Sequence, residues 1–496
     1  MNKDAGELFE MNKIKSLFDE QKNQLSLPGL IFVYLSRAAF IVSVFISPSE
    51  AEFPIIAFIL TYLISFCHLI SKDGTFLRRL SHRITVLICI SSLISAFVGK
   101  ALGMLERFPD YDIVMSAATG VIGTLFGYYA TLTFQGIKEK RDCGFVASSS
   151  LFICGTLVFF REMLEFLSDW ILGTNYVHAE HIGDNHWFFR VFGLGSNIPE
   201  QRPLFDTDED MLISLICSAF TTAFIYLFLI IKNKNLFKKS EKKTFSFKAV
   251  PSRIADKIYF EVEKVKKETN IYDILTWWLT RAAMFYAFIM IEDPTEKILI
   301  GANLLATFAI SLLHFIFPKE SLFCKINYRM QSWLCLIVFT GSYMGNFIFV
   351  YNNLPRFDLF LHFISGPIAV AAGYYTIKTF KTPENKREVF LAALYAFCLS
   401  CFIMPFWEVF EFFGDFLFGS ANQGFYWGPS EDSFFFKVFG HGTCNTMLYH
   451  LFDTVYDVLL AFVTTVLSVV WLYISLLKGL KVHKTDTETE KIIVNC

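Results

Sequence analysis

The chain has 496 residues, of which 54% are apolar and only 18% are charged, and its formal net charge at pH 7 is −2. Soluble globular domains usually carry about 25% charged residues, so this composition, with a mean hydropathy of +0.45, excludes an ordinary soluble protein. The near-zero charge also excludes nucleic acid as a partner, because the phosphate backbone is bound through a strongly basic surface.

Apolar runs long enough to cross a bilayer recur along the whole chain. A helix needs about 20 apolar residues to span the hydrocarbon core, and lipid offers the backbone no hydrogen-bond partner. We therefore predict an all-α polytopic membrane protein with about twelve transmembrane helices in contact with the lipid bilayer. The first six spans are predicted near 27–47, 53–71, 83–104, 112–134, 147–171 and 210–231. The other six are predicted near 273–291, 297–317, 330–351, 358–380, 389–417 and 454–477.

Lysine and arginine concentrate in every second connection between the predicted spans, whereas the intervening connections are acidic or neutral. The basic connections contain Lys72, Arg78, Arg79 and Arg83, then Lys138, Lys140 and Arg141, and in the second half Lys319, Lys325 and Arg329, then Lys378, Lys381, Lys386 and Arg387. Because short basic loops resist translocation, we predict that both termini lie in the cytoplasm and that the protein crosses the plasma membrane many times.

The predicted spans divide the chain into five parts. A cytoplasmic N-terminal segment, 1–26, precedes a first six-helix repeat, 27–231. A basic cytoplasmic linker, 232–270, then leads to a second six-helix repeat, 271–477, and to a cytoplasmic tail, 478–496.

An internal repeat with a constant offset relates the two halves. Asp112 to Tyr129 align without a gap to Asp358 to Tyr375, an offset of 358 − 112 = 246. The same offset relates His68 to His314, Arg83 to Arg329, Glu162 to Glu408 and Glu165 to Glu411, whereas Asp210 and Asp457 differ by 247. Because each copy has six spans, we predict parallel repeats related by a pseudo-twofold axis along the membrane normal.

Acidic side chains of the second copy are predicted to meet at the outer ends of its last three helices. The predicted site consists of Asp358, His362, Glu408, Glu411, Asp453 and Asp457. The spacing within each pair is i, i+3 or i, i+4, which places both members on one face of a helix. Intramembrane ionisable groups are costly and are functional by default. The alternative is a purely structural role, in which these are solvated carboxylates at helix ends and Asp453 acts as an N-cap.

The two copies differ mainly in charge around this predicted site. The differences are Ser116 against His362, Lys100 against Asn346, and Arg161 against Trp407. The second copy therefore keeps the carboxylates but loses two cations, although it has Arg356 in the outer loop where the first copy has Asp110. Crowded carboxylates must take up protons or hold a cation. Mixed imidazole and carboxylate ligands suit zinc or manganese, whereas oxygen ligands alone favour calcium or magnesium. We predict a divalent metal ion of unknown identity, with Glu408 or Glu411 as the catalytic base.

The motifs of the second copy resemble a known family. These motifs are Asp358-x3-His362, Trp407-Glu408-x2-Glu411 and Asp453-Thr454-x2-Asp457. They are similar to the pattern of bacterial YjdF-like inner-membrane proteins over most of 297–477, and more distantly to VanZ-like membrane proteins. The resemblance implies the architecture and the choice of residues. YjdF-like proteins are similar to one unit rather than two, and Ser116 departs from the pattern in the first copy.

Two classes of function remain open from the sequence. In the first, the metal activates water on a lipid-linked or envelope substrate, with Glu408 or Glu411 as general base. In the second, the protein is a cation- or proton-coupled transporter whose repeats rock about the polar site. A third reading is that the carboxylates only stabilise the outer end of the helices.

Residues elsewhere in the predicted spans are expected to be structural. Arg37 and Arg281 lie near the midplane, where each needs an ion-pair partner, a backbone carbonyl or a lipid phosphate, and we favour an ion pair. His68 and His314 fall at the cytoplasmic end of the second span of each repeat, where a satisfied structural histidine is expected. Glycines of the fourth span are expected to permit close helix packing.

Overall fold

The structure is a computed structural model that describes residues 19–72, 75–108, 111–134, 136–172, 202–234, 250–317, 324, 326–348, 357–380, 382–418 and 452–494. The chain divides into two compact units, Met1–Asn233 and Lys234–Cys496. Both units are built from helices, and no strand occurs among the described residues.

Unit 1 contains seven long helical elements, which we number α1 to α7. They are α1 (Leu27–Ile46), α2 (Glu52–Leu60), α3 (Leu63–Ile70), α4 (Arg83–Ser92), α5 (Tyr111–Leu132), α6 (Lys140–Leu172) and α7 (Arg202–Lys232). Shorter helical turns lie at Pro48–Glu50, Phe76–Arg79 and Met104–Arg107.

Unit 2 continues the numbering from α8 to α15. Its helices are α8 (Val250–Glu268), α9 (Ile271–Met290), α10 (Pro294–Ala306), α11 (Ala309–Ile316), α12 (Arg329–Val338), α13 (Phe357–Phe380), α14 (Lys386–Phe418) and α15 (Phe452–Val494). Helix α8 lies within the predicted linker, and α15 continues beyond the predicted end of the last span.

Within the described part of the chain, eight helices are long and apolar enough to cross a membrane. The number rises to ten if each of two bent helix pairs, α2 with α3 and α10 with α11, forms one span. The prediction of an all-α polytopic membrane protein is confirmed. The predicted seventh and ninth spans correspond to α9 and to α12 with its continuation Phe339–Phe347, which are helical but are not among these candidates.

The bend between α2 and α3 is stabilised by a buried arginine from α1. The two helices meet at 47°, and Thr61 at the break has a carbonyl oxygen that a continuous helix would bond. The Nη2 of Arg37 donates to the Thr61 carbonyl and its Nε donates to Thr61 Oγ1, both at 3.0 Å. The guanidinium also lies 3.7 Å from the ring centre of Tyr62. These contacts give the arginine a backbone carbonyl in place of the ion pair that we favoured from sequence.

Unit 2 has the same arrangement at its own bend. Helices α10 and α11 meet at 59°, and Arg281 Nη2 donates to the Thr307 carbonyl at 2.9 Å. The guanidinium of Arg281 lies 3.8 Å from the ring centre of Phe308. In both units, therefore, a buried cation satisfies the polar backbone that a broken helix exposes, as a low-dielectric surrounding requires.

A nine-residue π-helical segment continues the third predicted span of each unit. The segments are Leu93–Ala101 after α4 and Phe339–Phe347 after α12, and their starts differ by 339 − 93 = 246. Lys100 lies in the first segment, with its ammonium 5.2 Å from the ring centre of Phe53. Wide helical turns of this kind are rare and occur mostly at functional sites.

Glycine allows the last three helices of each unit to pack closely. A β-carbon added at Gly120 of α5 would lie 2.9 Å from Cys217 Cβ and 3.0 Å from the Ser214 carbonyl carbon of α7. A β-carbon added at Gly373 of α13 would lie 2.5 Å from the Ala396 Cα of α14. Small residues at such crossings are typical of helix association in membranes, where no hydrophobic effect drives the helices together.

We expect Gly120→Ala to lower the free energy of unfolding by about 1–3 kcal/mol, because the added methyl group overlaps the backbone of α7. Thermal unfolding of the detergent-solubilised protein measures the change. Gly479→Ala is the control, since nothing lies within 4 Å of a β-carbon added there. Equal unfolding midpoints for the two variants would contradict close packing at Gly120.

Candidate functional site

The buried end of α5, α6 and α7 in unit 1 carries a cluster of ionisable side chains centred on Arg161. Its Nη2 lies 2.5 Å from Asp210 Oδ2, and its Nε lies 2.8 Å from Glu165 Oε1. Its Nη1 donates to Ser116 Oγ at 2.8 Å. A single guanidinium thus joins all three helices through short, charge-assisted hydrogen bonds.

Two further carboxylates lie at the edge of the same guanidinium. Asp112 Oδ1 is 3.8 Å from Arg161 Nη2, and Glu162 Oε1 is 3.9 Å from Arg161 Nη1. Carboxylate oxygens of Glu162, Glu165 and Asp210 all lie within 4.8 Å of one another, a spacing that would otherwise suit a metal ion. In unit 1 the arginine places one positive charge at the centre of these four acids.

The corresponding place in unit 2 has a different set of side chains. His362 Nε2 of α13 lies 3.6 Å from Asp457 Oδ2 of α15, and both side chains are buried. Glu408 of α14 is only 2% exposed. Position 407, which is 161 + 246, holds Trp407 in place of the arginine.

Three of the six predicted site residues lie outside the part of unit 2 whose side chains are described. These are Asp358 on α13, Glu411 on α14 and Asp453 on α15, so only their positions on these helices are known. The contact between His362 and Asp457 is the part of the predicted convergence that the structure describes. The complete six-residue site stays a prediction.

A second group of possible metal ligands lies near the start of α4 in unit 1. The sequence analysis had singled out only one of its three members. It consists of Glu20, His68 and His82, whose ligand atoms lie within 4.8 Å of one another. The two imidazole rings are in edge-to-face contact with their centres 4.7 Å apart, and both residues are fully buried. Burial, with a smaller contribution from His68, lowers the pKa of His82 to about 4, so this imidazole is neutral at pH 7.

Unit 2 has a hydrogen-bond network at the matching position. Position 328, which is 82 + 246, holds Tyr328, whose hydroxyl donates to Glu261 Oε2 at 3.0 Å. The ring of His314 donates through Nδ1 to the same carboxylate oxygen at 2.9 Å. Burial raises the pKa of Tyr328, and the Glu261 charge raises it further, so the phenol stays protonated and remains a donor.

Sequence reasoning identified His68 but missed His82. The missed signal was a difference between two positions 246 residues apart, since residue 82 is a histidine and residue 328 is a tyrosine. Glu20 was also missed, because it lies in the segment predicted to precede the first span.

Together, the apolar helices and the buried polar groups that join them define a multi-pass α-helical membrane protein. A family described as "Predicted membrane protein (DUF2238)" matches residues 274–478. The match covers most of unit 2 and includes all six residues of the predicted site. No curated protein and no solved structure matches the chain.

We expect Arg161→Met to lower the free energy of unfolding by about 3–5 kcal/mol, because removing one partner of a buried ion pair leaves uncompensated charge. The measurement is the midpoint of thermal unfolding in detergent. Arg79→Met, at an exposed arginine of the same unit, is the control and should change the midpoint little. An Arg161→Met midpoint equal to that of the control variant would show that the four carboxylates do not depend on the guanidinium.

Proposed function

We propose that unit 2 binds a divalent cation at the position that corresponds to the Arg161 guanidinium of unit 1. The ligands would be His362, Glu408 and Asp457, with Asp358, Glu411 and Asp453 available from the same helix ends. The observation that carries this proposal is the replacement of the part-buried Arg161 by Trp407, which is 42% exposed, among matching acids.

Unit 1 supports the proposal because its acids are arranged around a positively charged group. Asp210 and Glu165 contact the guanidinium at 2.5 and 2.8 Å. Their counterparts by position are Asp457 and Glu411, and position 407 supplies no cation to them. A bound metal ion would provide the charge that the chain itself provides in unit 1.

The distance between His362 and Asp457 is also compatible with two ligands of one ion. Their N–O separation of 3.6 Å is longer than a hydrogen bond. Ligands about 2.0–2.1 Å from a tetrahedral zinc ion lie about 3.3 Å apart. An imidazole together with carboxylates favours zinc or manganese over calcium.

The reaction that we propose is metal-assisted attack of water on a lipid-linked or envelope substrate. The metal would lower the pKa of bound water, and Glu408 or Glu411 would accept its proton as general base. Three elements of sequence reasoning belong to the same proposal: the duplication, the plasma-membrane location with both termini cytoplasmic, and the YjdF-like and VanZ-like resemblances.

We expect the purified protein to contain a divalent metal in unit 2, and Trp407→Arg to remove about one equivalent, because the new guanidinium would occupy the cation position. His362→Ala should also reduce the metal content, since it removes the nitrogen ligand. Elemental analysis of the detergent-solubilised protein gives the stoichiometry.

Ser116→Ala, at the position that matches His362, is the control and should leave the metal content unchanged. Size-exclusion profiles of all variants establish that each is folded. Metal content that is the same in Trp407→Arg, His362→Ala and wild type would contradict a cation site in unit 2.

A cation-coupled carrier is the second candidate, and the bent helix pairs are the observation that favours it. Helices broken within the membrane are typical of secondary transporters. Here, however, Arg37 and Arg281 fill the two breaks, which leaves the carboxylate site as the place where a transported ion would bind.

Transport and catalysis make different predictions for reconstituted protein. A carrier should release zinc or manganese from loaded proteoliposomes at a rate that Trp407→Arg reduces to the background of empty vesicles. A metal-dependent enzyme should bind the ion without any flux. A fluorescent indicator in the external medium measures the release.

A further inference from the structure

We propose that Glu20, His68 and His82 of unit 1 form a binding site for a zinc-like divalent cation. This site involves other residues than the proposed cation site of unit 2. It would connect the helical segment before α1 to α3 and to the start of α4. Three ligand atoms within 4.8 Å of one another need to approach by at most about 1.5 Å to reach the spacing of about 3.3 Å between zinc ligands.

His68 is held in the orientation and tautomer that a metal ligand requires. Its Nε2 lies 2.9 Å from the Leu80 carbonyl oxygen. A carbonyl oxygen only accepts hydrogen bonds, so Nε2 carries the proton and Nδ1 has the free lone pair. Nδ1 is 3.9 Å from Glu20 Oε2. Donation of the second ring nitrogen to a backbone carbonyl is the usual arrangement around metal-bound histidine.

His82 provides the observation that points to a ligand. Its side chain is fully buried, and among the described residues neither of its ring nitrogens has a hydrogen-bond partner. Buried polar atoms are almost always satisfied, because leaving them without a partner is costly. A metal ion bound by one nitrogen would account for this buried imidazole, which is neutral and therefore able to coordinate.

The charged groups around the site favour a nitrogen-preferring ion. Arg78 Nη1 donates to Glu20 Oε2 at 2.6 Å, and its charge offsets that of the carboxylate. Arg37, on α1, is engaged with Thr61. Because the carboxylate is already neutralised, the two imidazoles supply most of the affinity. This donor set suits zinc, cobalt or nickel rather than calcium or magnesium.

The matching position of unit 2 shows how similar residues are arranged when hydrogen bonds, rather than a metal ion, connect them. There Tyr328 replaces His82, and its hydroxyl and the His314 ring both donate to Glu261. That network joins both rings to one carboxylate oxygen of Glu261, although among the described residues His314 Nε2 and Glu261 Oε1 have no hydrogen-bond partner. The unit 1 residues do not form such a network, although the buried histidine at position 68 corresponds to His314.

The test uses the full chain in detergent, stripped with a chelator and titrated with Co²⁺, whose visible absorption reports imidazole coordination. All variants are made in the Trp407→Arg background, so that the proposed site of unit 2 does not contribute. We expect His82→Tyr to lose about one equivalent of Co²⁺, because it installs the side chain that unit 2 has. Competition with Zn²⁺ should displace the bound Co²⁺.

Arg78→Gln tests the same site with all three ligands in place. We expect Co²⁺ to bind roughly fivefold more tightly or better, because a positive charge close to a divalent ion is removed. A histidine cluster with only a structural role predicts no such gain. Equal Co²⁺ binding by His82→Tyr and its parent would overturn the proposal. Unchanged Co²⁺ affinity in Arg78→Gln would also overturn the proposal. This second test remains valid even if His82→Tyr does not fold. Neither result bears on unit 2.

Discussion

A polar group inside a hydrocarbon layer has no water to bond, and this constraint explains most of the polar side chains that the structure buries. Where the second span of each unit breaks, a helix carbonyl at Thr61 or Thr307 loses its usual partner. An arginine from the first span supplies a replacement in both units. Where helices cross closely, glycine removes the side chain rather than adding a bond. The same requirement of internal satisfaction therefore produces both the buried cations and the small residues.

The same constraint makes the differences between the units informative. Unit 1 neutralises its cluster of acids with Arg161, which contacts residues on all three of its last helices. Unit 2 has His362 and Trp407 at the positions 246 residues after Ser116 and Arg161. The residues around His82 in unit 1 and Tyr328 in unit 2 show a second difference between the units. In unit 2, Tyr328 and His314 each bond one oxygen of Glu261, whereas unit 1 buries the ring of His82 without a hydrogen-bond partner among the described residues.

Sequence reasoning was most successful for features that depend on local composition. Apolar runs predict helices wherever they reach the length of a span, and the structure has helices over all twelve predicted runs within its described residues. The close packing expected at the glycines of the fourth span was also predictable, because only a residue without a side chain suits such a crossing. The partner of Arg37 was not predictable in this way. The Thr61 carbonyl becomes available only because the helix bends there, and the sequence analysis did not predict the bend.

The sequence by itself determined the class of protein and the charge difference between the two halves, because hydropathy and charge are properties of residues wherever they are placed. Only the tertiary structure decided which groups meet. It brought Asp112, Glu162, Glu165 and Asp210 to a single guanidinium, and it placed Glu20 beside two histidines far along the chain. Such contacts depend on how helices cross and where they bend, and those are set by packing between segments that are distant in the sequence.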